Sequence, residues 1–95
     1  MPKITIFAYA YLGDILESRN LNVSTPAETV EELINFLSEQ YGSSFREKLI
    51  DPKTKEMRNS YRVLINGRDV GSLKRLKTRL REGDKVLFFP PVAGG

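Results

Sequence analysis

The chain has 95 residues, 40% of them apolar and 28% charged, with a formal net charge of +3, a size that suits one domain around one core. It has no cysteine and no histidine, which excludes disulfides and thiolate nucleophiles and removes the commonest general base and metal ligand. A self-contained catalytic set would have to be built from carboxylates, lysine or tyrosine, so catalysis within the chain is not expected.

The segment Lys3-Ile4-Thr5-Ile6-Phe7-Ala8-Tyr9 alternates and is rich in strand-favouring residues, with Ile4, Ile6 and Ala8 on one face and Thr5, Phe7 and Tyr9 on the other. Met1-Pro2 leads straight into this strand without a signal-peptide core, and no apolar run approaches the roughly 18 residues of a membrane span, so a cytoplasmic protein without membrane partners is expected. A link containing Gly13-Asp14 precedes Leu21 to Ser24, read as a second strand closing a hairpin. Thr29-Val30-Glu31-Glu32 has capping-box order and starts a helix whose Val30, Leu33, Ile34, Leu37 and Tyr41 share one face, with Gly42 suited to the left-handed residue past its end. Ser44 to Glu47 repeats the capping-box order and opens a shorter helix with Phe45 and Leu49 on its buried side.

Asp51 to Ser60 is polar, lacks periodicity and reads as a mobile surface loop. Tyr61 to Ile65 is the third strand. Asn66-Gly67 is a strong hairpin signal, since both central positions of the favoured turn need positive φ, and Arg68-Asp69-Val70 returns as a short edge strand. A helical turn over Leu73 to Leu76 and a tight turn at Arg81-Glu82-Gly83-Asp84 lead into the last strand, Lys85 to Phe89, which Pro90-Pro91 terminates because proline cannot donate to a ladder. One amphipathic helix against a mixed sheet is an α+β architecture. Residues 1–89 form the expected domain and 90–95 a flexible, extended tail.

Val92-Ala93-Gly94-Gly95 follows the two prolines, so the chain is expected to leave the sheet stiffly and finish without side chains. Such an end fits a narrow active site, and its reactive group is the terminal carboxylate, inert until adenylation supplies a leaving group. A bare diglycine is equally compatible with a frayed terminus. Its Phe-Phe-Pro-Pro preface favours function.

FFPPVAGG, together with Gly83-Asp84-Lys85-Val86, Ile65-Asn66-Gly67 and Lys3-Ile4-Thr5-Ile6-Phe7-Ala8, resembles the small subunits of molybdopterin synthase, which are MoaD/ThiS-like sulfur carriers. The resemblance is specific at both ends and a matter of pattern in the middle. It implies a ubiquitin-like β-grasp fold and a non-catalytic role in molybdenum cofactor biosynthesis. An E1-like adenylating enzyme would activate Gly95 with ATP, no cofactor being held by the carrier, and a sulfur donor would convert it to a thiocarboxylate. Insertion into the synthase large subunit would then deliver sulfur to molybdopterin, with Gly94 the required neighbour and Phe7 and Phe89 apolar contacts for partners. Tyr11-Leu12 stands where the family usually carries Arg-Glu, and the loop from Asp51 is long. These departures leave the identity of the partner open. Carriers for thiamin synthesis or transfer RNA thiolation and ubiquitin-like protein modifiers share the same tail.

By strand parity Phe7 and Phe89 face away from the helix if the first and last strands pair, with Leu64 and Leu87 as candidates to join them. Pro90, Pro91 and Val92 complete the expected partner-binding set. An exposed apolar patch of this kind marks an interface unless the short helix or the long loop covers it. Between Arg62 and Lys85 eight basic residues stand against three acidic ones, a solvated surface or a steering field for an acidic partner. RNA binding ranks well behind both, since no RNA-recognition motif is present.

Overall fold

The computed structural model describes residues 1–91. Its elements are β1 (Lys3–Ala8), α1 (Tyr11–Ile15), β2 (Asn20–Ser24), α2 (Val30–Tyr41), α3 (Ser44–Leu49), β3 (Arg62–Ile65), β4 (Arg68–Asp69), two 3₁₀ turns (Val70–Ser72 and Arg75–Lys77) and β5 (Lys85–Phe89). The five strands form one mixed sheet in the order β2-β1-β5-β3-β4. β1 and β5 run parallel at its centre, and the other neighbours are antiparallel. This is the ubiquitin-like β-grasp, and the chain's last strand lies in its middle.

Alternation in the strands settles which face is buried. Ile4, Ile6, Ala8, Val63, Val86 and Phe88 are at most 1% exposed, and α2 supplies Val30, Leu33, Ile34 and Leu37 to the same core, all four with no exposed surface. Each of these side chains other than the Ala8 methyl contributes about 1.5–3 kcal/mol relative to its exposed state. Phe45 of α3 meets Phe88 edge to face at 5.2 Å. The short helix therefore packs on the α2 side of the sheet and leaves the opposite face open.

The start of α2 uses the expected cap in part. The Glu32 amide donates to Thr29 Oγ1 at 3.2 Å, while the Glu32 carboxylate accepts from the Glu28 amide at 3.0 Å, one residue earlier than a capping box requires. Gly42 does have positive φ, 112°, but its ψ of 147° places it outside the left-handed helical well.

Several expectations are corrected. The link after β1 contains α1, whose first turn is sealed by the amides of Leu12 and Gly13 donating to the carbonyls of Tyr9 and Ala10. Buried Leu12 and Leu16 anchor it, but the helix is too short for periodicity to reveal. In α3 the Ser44 capping box is not used, because Ser43 occupies the N-cap position with helical dihedrals and no side-chain cap. The stretch from Asp51 is not a free loop. Asp51 Oδ1 accepts from the Lys53 amide at 2.7 Å, Ile50 bridges Met57, and Met57 joins the core. Val70 begins a 3₁₀ turn instead of ending β4, and the expected turn over Leu73 to Leu76 is displaced to Arg75–Lys77.

Candidate functional site

The cross-strand register assembles the open face. Phe7 stands opposite Leu87, and Leu87 opposite Leu64, so three half-buried apolar side chains form one row across β1, β5 and β3. Asn20 beside Phe7 and Asp69 beside Leu64 close the row with polar groups. One step away Thr5 Oγ1 donates to Asn22 Oδ1 at 2.9 Å, and Arg62 reaches Asp69 at 3.7 Å in an exposed pair that contributes little stability. An apolar centre framed by polar groups is the anatomy of a protein interface. Neither α3 nor the loop from Asp51 covers it, since Phe45 and Met57 both belong to the core on the other side.

The row continues toward the point where the chain leaves β5. Tyr9 donates its amide to the Phe88 carbonyl at 3.2 Å, extending the parallel ladder by one residue, and its ring stacks on Phe89 with centroids 4.5 Å apart and planes 5° from parallel. Ala10, with φ 52° and ψ −135°, then turns the chain sharply through a conformation that costs a non-glycine residue on the order of 1–3 kcal/mol. Behind this turn the Tyr11 and Tyr61 hydroxyls are hydrogen-bonded to each other, and the Lys48 ammonium lies 5.4 Å from the Tyr11 ring centre. Burial, and then the hydrogen bond to Tyr11, push the Tyr61 phenol up to about 12.

Pro90 is half-buried and Pro91 exposed, so the chain departs from the centre of the sheet beside the Tyr9–Phe89 stack. The structure thus brings together Phe7, Leu64 and Leu87, with Phe89 and Pro90 at the exit. Val92, Gly94 and Gly95, also expected to be functional, lie outside the described residues. Tyr9 was legible by parity as a member of this face yet was not singled out as a contact. Tyr11 and Tyr61 are 50 positions apart in sequence, and no local signal connects them.

This arrangement can bind a partner and direct a chain end. Among the described residues no cluster of three or more carboxylates could hold a metal ion, and no helix is long and apolar enough to cross a membrane.

Comparison with known proteins gives a consistent family. Residues 4–95 match the ThiS family. Small archaeal modifier protein 3 of Haloferax volcanii is 39% identical over 70% of this chain and 70% of its own length. The sulfur carrier protein CysO of Mycobacterium tuberculosis is 32% identical over 78% of this chain and 80% of its own length. The crystal structure of Mycobacterium tuberculosis CysO superimposes with a TM-score of 0.80 at 25% identity, covering 94% of this chain and 99% of that one. With the sheet order, the open face and the match over nearly all its length in agreement, the chain belongs to the ThiS family of ubiquitin-like sulfur carrier proteins.

Proposed function

We propose that Gly95 is the residue that carries sulfur, with residues 1–89 as the docking body and 90–95 as the delivered tail. Its carboxylate oxygen attacks the α-phosphorus of ATP in the active site of an E1-like enzyme and releases pyrophosphate. Hydrosulfide supplied by the donor then attacks the acyl carbon, the bond to AMP breaks, and a thiocarboxylate is left. Phe7, Leu64, Leu87 and Phe89 hold the enzymes that act on the tail, Pro90, Pro91 and Val92 contact those enzymes as the tail enters them, and Gly94 lets the backbone pass through a narrow channel. The observation that carries this reading is the exit of the chain from the sheet centre at Phe89-Pro90, beside a half-exposed apolar face.

The acceptor we infer is the pterin precursor that becomes molybdopterin on the synthase large subunit, supported by the resemblance of FFPPVAGG to the small subunits of that synthase. A second reading, conjugation of Gly95 to lysines of other proteins, is favoured by the 39% identity to small archaeal modifier protein 3.

Intact-mass analysis of the chain co-expressed with its activating enzyme and sulfur donor should show one oxygen replaced by sulfur at the C-terminal carboxyl. An unchanged carboxyl under those conditions sinks the carrier mechanism. Adding the large subunit and the pterin precursor then separates the acceptors. Formation of the dithiolene supports the first reading, whereas Gly95 isopeptides on cellular proteins without dithiolene formation support the second.

A further inference from the structure

A depression of about 250 Å³ lies between the first turn of α2, the turn from Asp51 to Met57 and the second 3₁₀ turn. Its rim carries four cations, Lys55, Lys74, Arg75 and Lys77, all exposed. The ion pairs among the described residues are Arg62 with Asp69 and Arg79 with Glu28, so none of the four has a carboxylate within salt-bridge distance there. Met57 and Leu76 form the floor, each 8% exposed.

Two of these cations sit on backbone that resists them. Lys55 has φ 64° and Arg75 φ 52°, the left-handed region in which an L side chain costs roughly 1–2 kcal/mol and glycine nothing. Both face the same depression from different loops, and Arg75 also lines the two adjoining ones. Local folding would be served better by glycine at either position. What the side chains add there is positive charge around an apolar floor, and strain of this kind points to function when it recurs at one place.

The ligand follows from the lining. Flanking carboxylates would satisfy the cations, and one aliphatic side chain would cover Met57 and Leu76. Glu31 and Glu56, also on the rim, can accept the N–H groups of a peptide, donors that a phosphate chain does not offer. No aromatic ring lines this depression to stack a base. We propose that the groove docks an acidic, extended segment of a partner protein, with an aliphatic residue on Met57 and Leu76 and its neighbouring carboxylates paired with Lys55, Lys74, Arg75 and Lys77. The proposal does not depend on the chemistry of Gly95.

The test is an NMR titration of the ¹⁵N-labelled full chain with an acetylated peptide holding one leucine among aspartates and glutamates. Controls are the same peptide with amides in place of the carboxylates and an oligouridine of equal charge. Shifts should concentrate at Lys55 to Met57 and Lys74 to Lys77, and added salt should weaken binding. Lys55→Gly with Arg75→Gly should keep at least the wild-type thermal stability, because glycine accepts positive φ, and should lose affinity by about tenfold or more. Lys74→Gln with Lys77→Gln tests the same charge without touching the strained positions and should weaken binding in the same direction. The proposal is overturned if the peptide does not bind, if its shifts map to the open sheet face, if both double variants bind as wild type, or if the oligouridine binds more tightly than the peptide.

Discussion

Tyr61 shows how one side chain joins distant parts of this fold. Its ring is in the core and its hydroxyl meets Tyr11 at the turn beside the tail exit. Because burial and that hydrogen bond raise the phenol from 10.0 to about 12, the folded state holds its proton more tightly than the unfolded chain does. The resulting stability is complete below about pH 10 and is lost as the pH climbs through the interval up to about 12. Urea unfolding along that alkaline limb should show wild-type stability falling more steeply than that of Tyr61→Phe, which has no proton to lose. At neutral pH the variant should be weaker by about 1 kcal/mol for the missing hydrogen bond, so the two curves converge at high pH. Parallel curves would mean that the Tyr61 proton is no better held in the fold than in the unfolded chain.

Between elements, the turn at Asn66-Gly67 is braced against the turn before β5. Asn66 Nδ2 donates to Asp84 Oδ1 at 2.9 Å, Asn66 Oδ1 accepts from the Lys85 amide at 2.9 Å, and Asp84 Oδ2 accepts from the Arg81 amide at 2.7 Å. This sets the register of β3 against β5, and with it the alignment of Leu64 and Leu87. Asn66→Gly keeps the positive φ of 52° and removes only the side-chain bonds. It should cost about 1–2 kcal/mol in chemical denaturation despite the easier backbone; unchanged or increased stability would show that turn geometry alone fixes the register. What was legible here was the turn itself, whose residue types are dictated by φ, together with β5, α2 and the parity of β1. The brace was not, because it joins residues 18 and 19 positions apart. Nor was α1, where Gly13 read as part of a link. A Cβ on Gly13 would stand 2.8 Å from the Ala8 carbonyl oxygen, so this glycine marks close packing of helix on strand, which sequence pattern does not distinguish from a turn. Asp51 to Ser60 misled for a related reason: its order comes from one aspartate binding its own backbone and from one buried methionine, neither of which makes a period.

At the scale of the whole molecule, the strand that ends in the tail is also the strand at the middle of the open face. Leu87 lies two residues before Phe89 on β5, with Phe7 and Leu64 on either side, so an enzyme that grips this row fixes the direction from which it receives the end of the chain. If the row is held for that purpose, its apolar area should matter more to binding than to folding. Leu87→Thr separates the two, since threonine keeps strand propensity while giving up apolar surface. We expect stability to change by no more than about 1 kcal/mol, because the side chain is already half exposed. Affinity for the activating enzyme should fall about tenfold or more, as it does when a central interface anchor is truncated. Calorimetric titration with that enzyme and urea unfolding of the same variant provide the two numbers. A large loss of stability with unchanged affinity would make Leu87 a structural residue and move the docking surface off this face. A selective loss of affinity would tie the route of the tail to the row of side chains beside it.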